Sequence, residues 1–387
     1  MTNDRENSLT TELSPHAHGA MPESPWYSFS LARKVLAVLA FLSWSDWTVF
    51  AEPAALTAPY PPSELIREVT WAPKETIIRE GHDSDNWPLT WADDDALYTA
   101  YGDGFGFKPF VPKEFSLGFA KVTGTPSAFI GENITAPSLE QYGKGRRGRK
   151  ASGILCVDGV IYLWARNADI SQLARSDDHG ASWRWADWKF TNSFGCPTFL
   201  NFGRNYAGAR DKFVYIYSPD CNSAYEVAGQ MVLARVPKKK IFQRAAYEFF
   251  AGIKAGKPVW SRDLLRKAPV FTAAGRCYRA GISYDAGLKR YLLVQPVPNA
   301  GSHDGVGKLD ARFEGGLSIY DAPTPWGPWT TVFFTDKWDV GPGESASFPT
   351  KWMEPDGRTL NLVFSGDDNF SVRKVQFQIP EPSKASR

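Results

Sequence analysis

Ile154-Leu-Cys-Val-Asp-Gly-Val-Ile-Tyr162 reads as two apolar strands joined by a tight turn. Asp-Gly between β-branched and aromatic residues is a two-residue hairpin loop whose twist matches that of its strands. The pattern recurs along the chain: Leu89-Thr-Trp-Ala-Asp-Asp-Asp-Ala-Leu-Tyr98, Thr198-Phe-Leu-Asn201 rejoining at Lys212-Phe-Val-Tyr215, Gly281-Ile-Ser-Tyr-Asp-Ala-Gly-Leu-Lys-Arg-Tyr291, and Thr350-Lys-Trp-Met-Glu-Pro-Asp-Gly-Arg-Thr-Leu360. Tyr98, Tyr162, Tyr215, Tyr291 and Leu362 are its anchors. A further strand pair follows each hairpin, starting at Leu117, Ser171, Met231, Gly316 and near Val372. Four-stranded units repeated in this way stack radially. The expected fold class is therefore all-β, a five-bladed β-propeller forming one domain. Arg67–Arg79 alternates with period two and is expected to close the ring onto the last blade. Helical patterns are scarce, and Tyr247–Ala255 is the best short helix.

Composition agrees. The 387 residues are 43% hydrophobic and 22% charged, which excludes a disordered chain, a collagen and a polytopic membrane protein. Lys+Arg 44 against Asp+Glu 42 is too balanced for a nucleic-acid binder working by bulk charge. The 15 Trp suit β-structure with stacking surfaces. Four Cys are too few for a disulfide-built scaffold, so a hydrophobic core must hold the fold.

Residues 1–51 read as a polar leader followed by an export signal. Arg33-Lys34 precede the apolar run Val35–Trp44, and Val49-Phe50-Ala51 offers small residues at the cleavage positions. The apolar run is too short to span a bilayer as a stable helix. The expected product is secreted, periplasmic or extracellular, with an uncleaved signal anchor as the alternative and the only route to a membrane. Residues 52–66 read as a linker, 67–380 as the propeller and 381–387 as a tail, in a monomer. Export permits disulfides, and Cys196 with Cys221 is the first pairing to expect; Cys156 and Cys277 read as buried thiols.

Ser176-Asp-Asp178-His-Gly180-Ala-Ser-Trp183 fits S-x-D-x-G-x-x-W, the Asp-box hairpin found in sialidases and other propellers, where the Asp forms the turn and the Trp packs between blades. Pro325-Trp326-Gly327-Pro328-Trp329 resembles turns of five-bladed glycoside hydrolases. Gly81-His-Asp83-Ser-Asp85-Asn-Trp87, followed by Leu97-Tyr-Thr-Ala-Tyr-Gly-Asp103-Gly, resembles domain-of-unknown-function family 4185, as do Tyr284–Tyr291 and Asp321–Trp329. Gly104 stands where that family usually carries Thr, and either Asp83 or Asp85 can match its early Asp. The resemblance implies a secreted endo-D-arabinanase-like hydrolase acting on a polysaccharide.

In a propeller the starts of the innermost strands converge on the central channel. The polar residues there are His82, Asp83 and Asp85, then Lys150 and Ser152, Asn192 and Ser193, Arg279, and Glu344. Glycoside hydrolysis needs a protonated carboxyl and a second carboxylate across the scissile bond. Asp85 and Asp103 are the best pair by the resemblance. Glu344 is the reserve, its pKa expected to be raised by an apolar channel. Asp and Glu in Gly-rich loops also form turns, and that reading stands beside the catalytic one. Asp93-Asp94-Asp95 reads as a plain turn. His82, Asp83, Trp87, Lys150, Asp220 and Arg279 are expected to bind substrate, while Trp87, Tyr101, Phe105, Phe107 and Tyr278 could stack on sugar faces or simply pack.

The basic run Lys144–Lys150 lacks interleaved aromatics, which argues against nucleic acid. No cofactor is expected: His82 and His303 lack metal-ligand spacing, and a structural calcium ion in the channel is not readable from sequence. A non-catalytic carbohydrate- or protein-binding propeller and a polysaccharide lyase are the rival readings.

Overall fold

Alternating apolar residues and short Asp/Gly turns produce strands almost throughout. The computed structural model describes residues 57–226, 228–298 and 314–380. The export segment, the tail and His303 lie outside the described residues. The first strands are β1 (Glu68–Trp71) and β2 (Ile78–Glu80). An antiparallel sheet follows of β3 (Leu89–Trp91), β4 (Leu97–Tyr101), β5 (Gly118–Thr125) and β6 (Ala128–Ile134). The next comprises β7 (Lys150–Val157), β8 (Val160–Ala168), β9 (Ile170–Ser176) and β10 (Arg184–Phe190).

The third group comprises β11 (Thr198–Asn201), β12 (Phe213–Pro219), β13 (Ala228–Pro237), β14 (Glu248–Lys254), β15 (Lys257–Ser261) and β16 (Pro269–Cys277). After it come β17 (Gly281–Asp285), β18 (Arg290–Val297), β19 (Gly316–Ala322) and β20 (Thr330–Thr335). The last strands are β21 (Ala346–Ser347), β22 (Thr359–Phe364) and β23 (Phe370–Gln378). Both β1 and β2 pair with β23, as the alternation of Arg67–Arg79 led one to expect. The sheets are nearly all antiparallel and the pattern is that of a β-propeller.

The first strand of each group faces a common channel. Hydrogen bonds join these strands in a circuit. Cys156 N–H donates to Thr90 Oγ1 at 2.8 Å, Ser152 Oγ to the Pro197 carbonyl at 2.7 Å, and Ser283 Oγ to the Phe348 carbonyl at 2.6 Å. β11 and β17 pair in parallel, and Ser345 Oγ reaches the Asn86 carbonyl at 2.7 Å. Apolar layers fill the gaps between successive groups. One layer sets Trp87, Leu89, Tyr101 and Phe107 of the first sheet region against Trp352, Val363 and Phe370 of the last.

Several expectations need correction. Tyr247–Ala255 is not helical: β14 pairs with both β13 and β15, and the open edge of β13 outweighs helical propensity. Thr350–Leu360 is not a strand hairpin, because Pro349 brings no N–H to a ladder and its carbonyl accepts Trp352 N–H at 2.9 Å, making Thr350–Trp352 a 3₁₀ turn. The inner strand there is β21, before the proline. Residues 57–66, expected as a free linker, lie along β20: Ser63 N–H donates to the Thr331 carbonyl and Thr331 N–H to that of Pro61, each at 2.7 Å. All four cysteines are free thiols. The Gly195 N–H donates to the Cys221 carbonyl, so the segments are neighbours. Yet Cys196 lines the channel while the Cys221 thiol bonds the Ser223 carbonyl.

Asp178 proves to be a turn former, accepting from Ser176 Oγ at 2.7 Å and Ser182 N–H at 2.9 Å. Trp183 packs edge-on to Phe119, with centroids 5.0 Å apart.

Phe370 is fully buried and touches Trp87, Phe107 and Phe129. Replacing it with Ala should cost about 3–5 kcal/mol, as for other large-to-small changes in a packed core. Urea unfolding would read this, and a loss below about 1 kcal/mol would show that the layer between first and last sheets contributes little.

Candidate active site

Each inner strand begins at the same end of the channel, so the residues just before it meet there. Asp85, Lys150, Cys196, Arg279 and Glu344 occupy those positions ahead of, or at the start of, β3, β7, β11, β17 and β21. Arg166, from the far end of β8, and Asp103, just after β4, join them. The channel below is narrow, with a volume of about 40 Å³. That is room for a few waters but not for a sugar. The charged mouth is the more open end of this site.

Asp85 pairs with Gly102 in the backbone, exchanging N–H···O bonds of 2.8 and 2.9 Å, which sets Asp103 one residue from its partner. The loop is held by Ser84, whose fully buried Oγ accepts the N–H groups of Phe105 and Gly106 at 3.1 and 3.0 Å. A Cβ on Gly104 would lie 1.9 Å from the Asp83 carbonyl oxygen. Only glycine fits, which accounts for the absence of Thr at this position.

Charge compensation then sorts the carboxyl groups. Glu344 contacts Arg279, and its Oε2 lies 3.8 Å from Arg166 Nη2. Burial pushes the Glu344 carboxyl up, but the combined field of Arg279, Arg166 and Lys150 outweighs it and holds the group ionised, well below the usual range. This reverses the expectation of a raised Glu344. Asp85 goes the other way. Burial first, and then the charge of Glu344 with a smaller push from Asp103, raises it to about 8, against the pull of Lys150 and Arg166. Asp103 is ion-paired with buried Lys150, and its side chain is 30% exposed.

Asn86 ties the parts together. Its Nδ2 donates to Asp85 Oδ1, while its Oδ1 accepts from Arg166 Nη2 at 2.9 Å. With Oδ1 of Asp85 engaged as an acceptor, the acid proton belongs on Oδ2. Tyr225 stacks beside the same guanidiniums, its ring centroid 5.3 Å from both Arg166 and Arg279.

Other expected site residues lie elsewhere. His82 and Asp83 are exposed on the loop before Ser84 rather than in the cluster. Trp87 is 1% exposed, bonds the Ser84 carbonyl and packs on Tyr101, Phe107 and Phe370, so it is core and not a sugar platform. Tyr101, Phe107 and Tyr278 are likewise buried, while Phe105 is half-buried. Asp220 belongs to a separate network with Ser193 at 2.6 Å, Gln230 at 2.8 Å and Lys267 at 3.5 Å. Cys196, not Asn192 or Ser193, supplies the third position at the mouth. Among the described residues no cluster of three or more His, Cys, Asp or Glu is placed to hold a metal ion.

No family model and no curated protein matches the chain. Solved structures show a remote likeness. A glycosyl hydrolase from Bacteroides ovatus is 13% identical with a TM-score of 0.44, covering 84% of this chain and 96% of its own. A GH43_1 enzyme from Xanthomonas citri is 13% identical with a TM-score of 0.42, covering 81% and 93%.

The shift of Asp85 makes stability depend on pH. Because the folded state holds the proton more tightly than the unfolded chain, the contribution is fully present below about pH 4 and is lost as pH rises through about 8. Urea midpoints at pH 5 and pH 9 should differ more in the parent than in Asp85→Asn. Equal pH sensitivity of the two proteins would show that Asp85 ionises normally.

Proposed function

We propose that this chain is an exported, monomeric, five-bladed propeller that hydrolyses glycosidic bonds of an extracellular polysaccharide at the charged channel mouth. One observation carries the reading. Buried Asp85, pushed toward its protonated form, bridges through its backbone to Gly102, the residue before Asp103, a partly exposed carboxyl ion-paired with Lys150. A buried carboxyl that favours its proton, beside a second carboxyl open to the mouth, matches the two groups that glycoside hydrolysis uses.

In the proposed reaction, Asp85 Oδ2 donates its proton to the glycosidic oxygen as the bond to the anomeric carbon breaks. In one route Asp103 takes a proton from a water whose oxygen bonds to the anomeric carbon, and Asp85 is reprotonated from solvent; in the other the Asp103 carboxylate itself bonds to that carbon and is displaced by a water that returns its proton to Asp85. Glu344 does not react. Clamped by Arg279 and Arg166, it keeps Asp85 protonated through its own negative charge and fixes both guanidiniums. An arabinan-type furanose polymer is the narrower substrate implied by the resemblance to family 4185.

The lyase reading would need a Tyr or His base. Burial pushes the Tyr278 phenol up, away from a useful base, and His82 sits outside the cluster, so Tyr225, beside Arg166 and Arg279, is the residue on which a lyase would depend. The binding-only reading leaves the opposed carboxyl groups without a task.

Asp85→Asn should lower turnover at least ~10²-fold, the usual scale for losing a general acid, with polysaccharide affinity nearly unchanged. The assay is release of reducing ends from a polysaccharide panel, with products weighed by mass spectrometry. Full activity in Asp85→Asn, or products absorbing in the ultraviolet, would overturn the hydrolase reading.

A further inference from the structure

The mouth holds more positive charge than a neutral sugar calls for. Lys150, Arg166 and Arg279 are 1%, 0% and 5% exposed, and the carboxylates facing them are Asp103 and Glu344. With Asp85 favouring its protonated form, three cations meet two carboxylates and one positive charge is left over. Hydrogen bonding is also incomplete. Arg166 Nε and Nη1 and Arg279 Nε have no partner among the described residues. Buried donors without a protein partner are uncommon in folded proteins, and a water or a ligand oxygen satisfies them.

The cations also continue outward. Tyr225, half-buried, carries Arg166 and Arg279 at 5.3 Å from its ring centroid and Arg146 at 5.2 Å. Arg146 is exposed on the turn Gly145–Arg147, so a basic path runs from the floor of the mouth across an aromatic ring to the rim. A guanidinium fork matches a planar carboxylate with two parallel N–H···O bonds, which a sugar hydroxyl cannot do.

We propose that the site takes an acidic polysaccharide, with the carboxylate of a uronic acid unit bound by Arg166 and Arg279 beside the cleaved bond, and with Tyr225 and Arg146 gripping the chain at the rim. This rests on the hydrolase reading for the position of the bond, and it departs from a neutral arabinan. The carboxylate balances the surplus charge at the mouth.

The test uses the full chain carrying Asp85→Asn, so that turnover does not consume the probe, with binding followed by calorimetry. The probes are polygalacturonate, alginate, hyaluronan and glucuronoxylan, each beside its carboxyl-reduced counterpart, with dextran sulfate as a charge control. At least one acidic polymer should bind tenfold or more tightly than its reduced form and than dextran sulfate. Adding Arg146→Gln, an exposed change whose folding is checked by circular dichroism, should weaken that binding at least threefold. The proposal falls if no acidic polymer outbinds its reduced form, if dextran sulfate binds equally well, or if Arg146→Gln binds like its parent. Carboxylate-selective binding without release of reducing ends by the unmutated protein would remove the hydrolase reading alone. Cleavage confined to neutral polymers would remove the acidic substrate alone.

Discussion

Gathering three buried cations and three carboxyl groups at one end of a channel is the constraint from which the rest of the site follows. Each charge is costly to desolvate, and none could be buried alone. Here compensation is shared unevenly. Glu344 has the guanidiniums and stays ionised, Asp103 has Lys150, and Asp85 is left deepest among like charges. A single electrostatic arrangement therefore gives the three carboxyl groups three different surroundings. Asn86 completes it by bonding Asp85 with one end of its amide and Arg166 with the other, so the acid and the arginine cannot shift independently.

The strand pattern was legible because each hairpin pairs a regular alternation with a turn that few residues can make. It failed where one residue overrode the rhythm. Pro349 stops the last inner strand, although the residues after it alternate well enough to imitate one. At Tyr247 the aromatic pair Phe249 and Phe250 pointed to no particular element, and the neighbouring edge of β13 decided the outcome.

Much of the mouth was also visible, since Asp85, Lys150, Arg279 and Glu344 all lie at starts of inner strands. Arg166 was missed because it arrives from the opposite end of the second strand. Its signal was a lone arginine closing the apolar run Ile161–Ala165, a charge that could be buried only with a partner. Trp87 was misassigned because sequence does not tell which face of a loop an indole takes; here it fills the space under Gly81. The direction of the Glu344 shift was beyond reach for a similar reason: the arginines that set it come from three-dimensional neighbours, not from its own Gly-rich loop.

The seam at β23 carries a topological consequence. Glu68 registers with Gln378 and Ile78 with Val372, so the circuit of sheets is fastened there by hydrogen bonds and not by the covalent chain. Meanwhile the hairpin tips such as Asp158-Gly159 point to the end of the channel away from the charges. The order in which the strands are strung is thus separable from the chemistry they present. A circularly permuted chain, opened at such a tip and spliced across the old ends, would rebuild the same mouth from the same wedges.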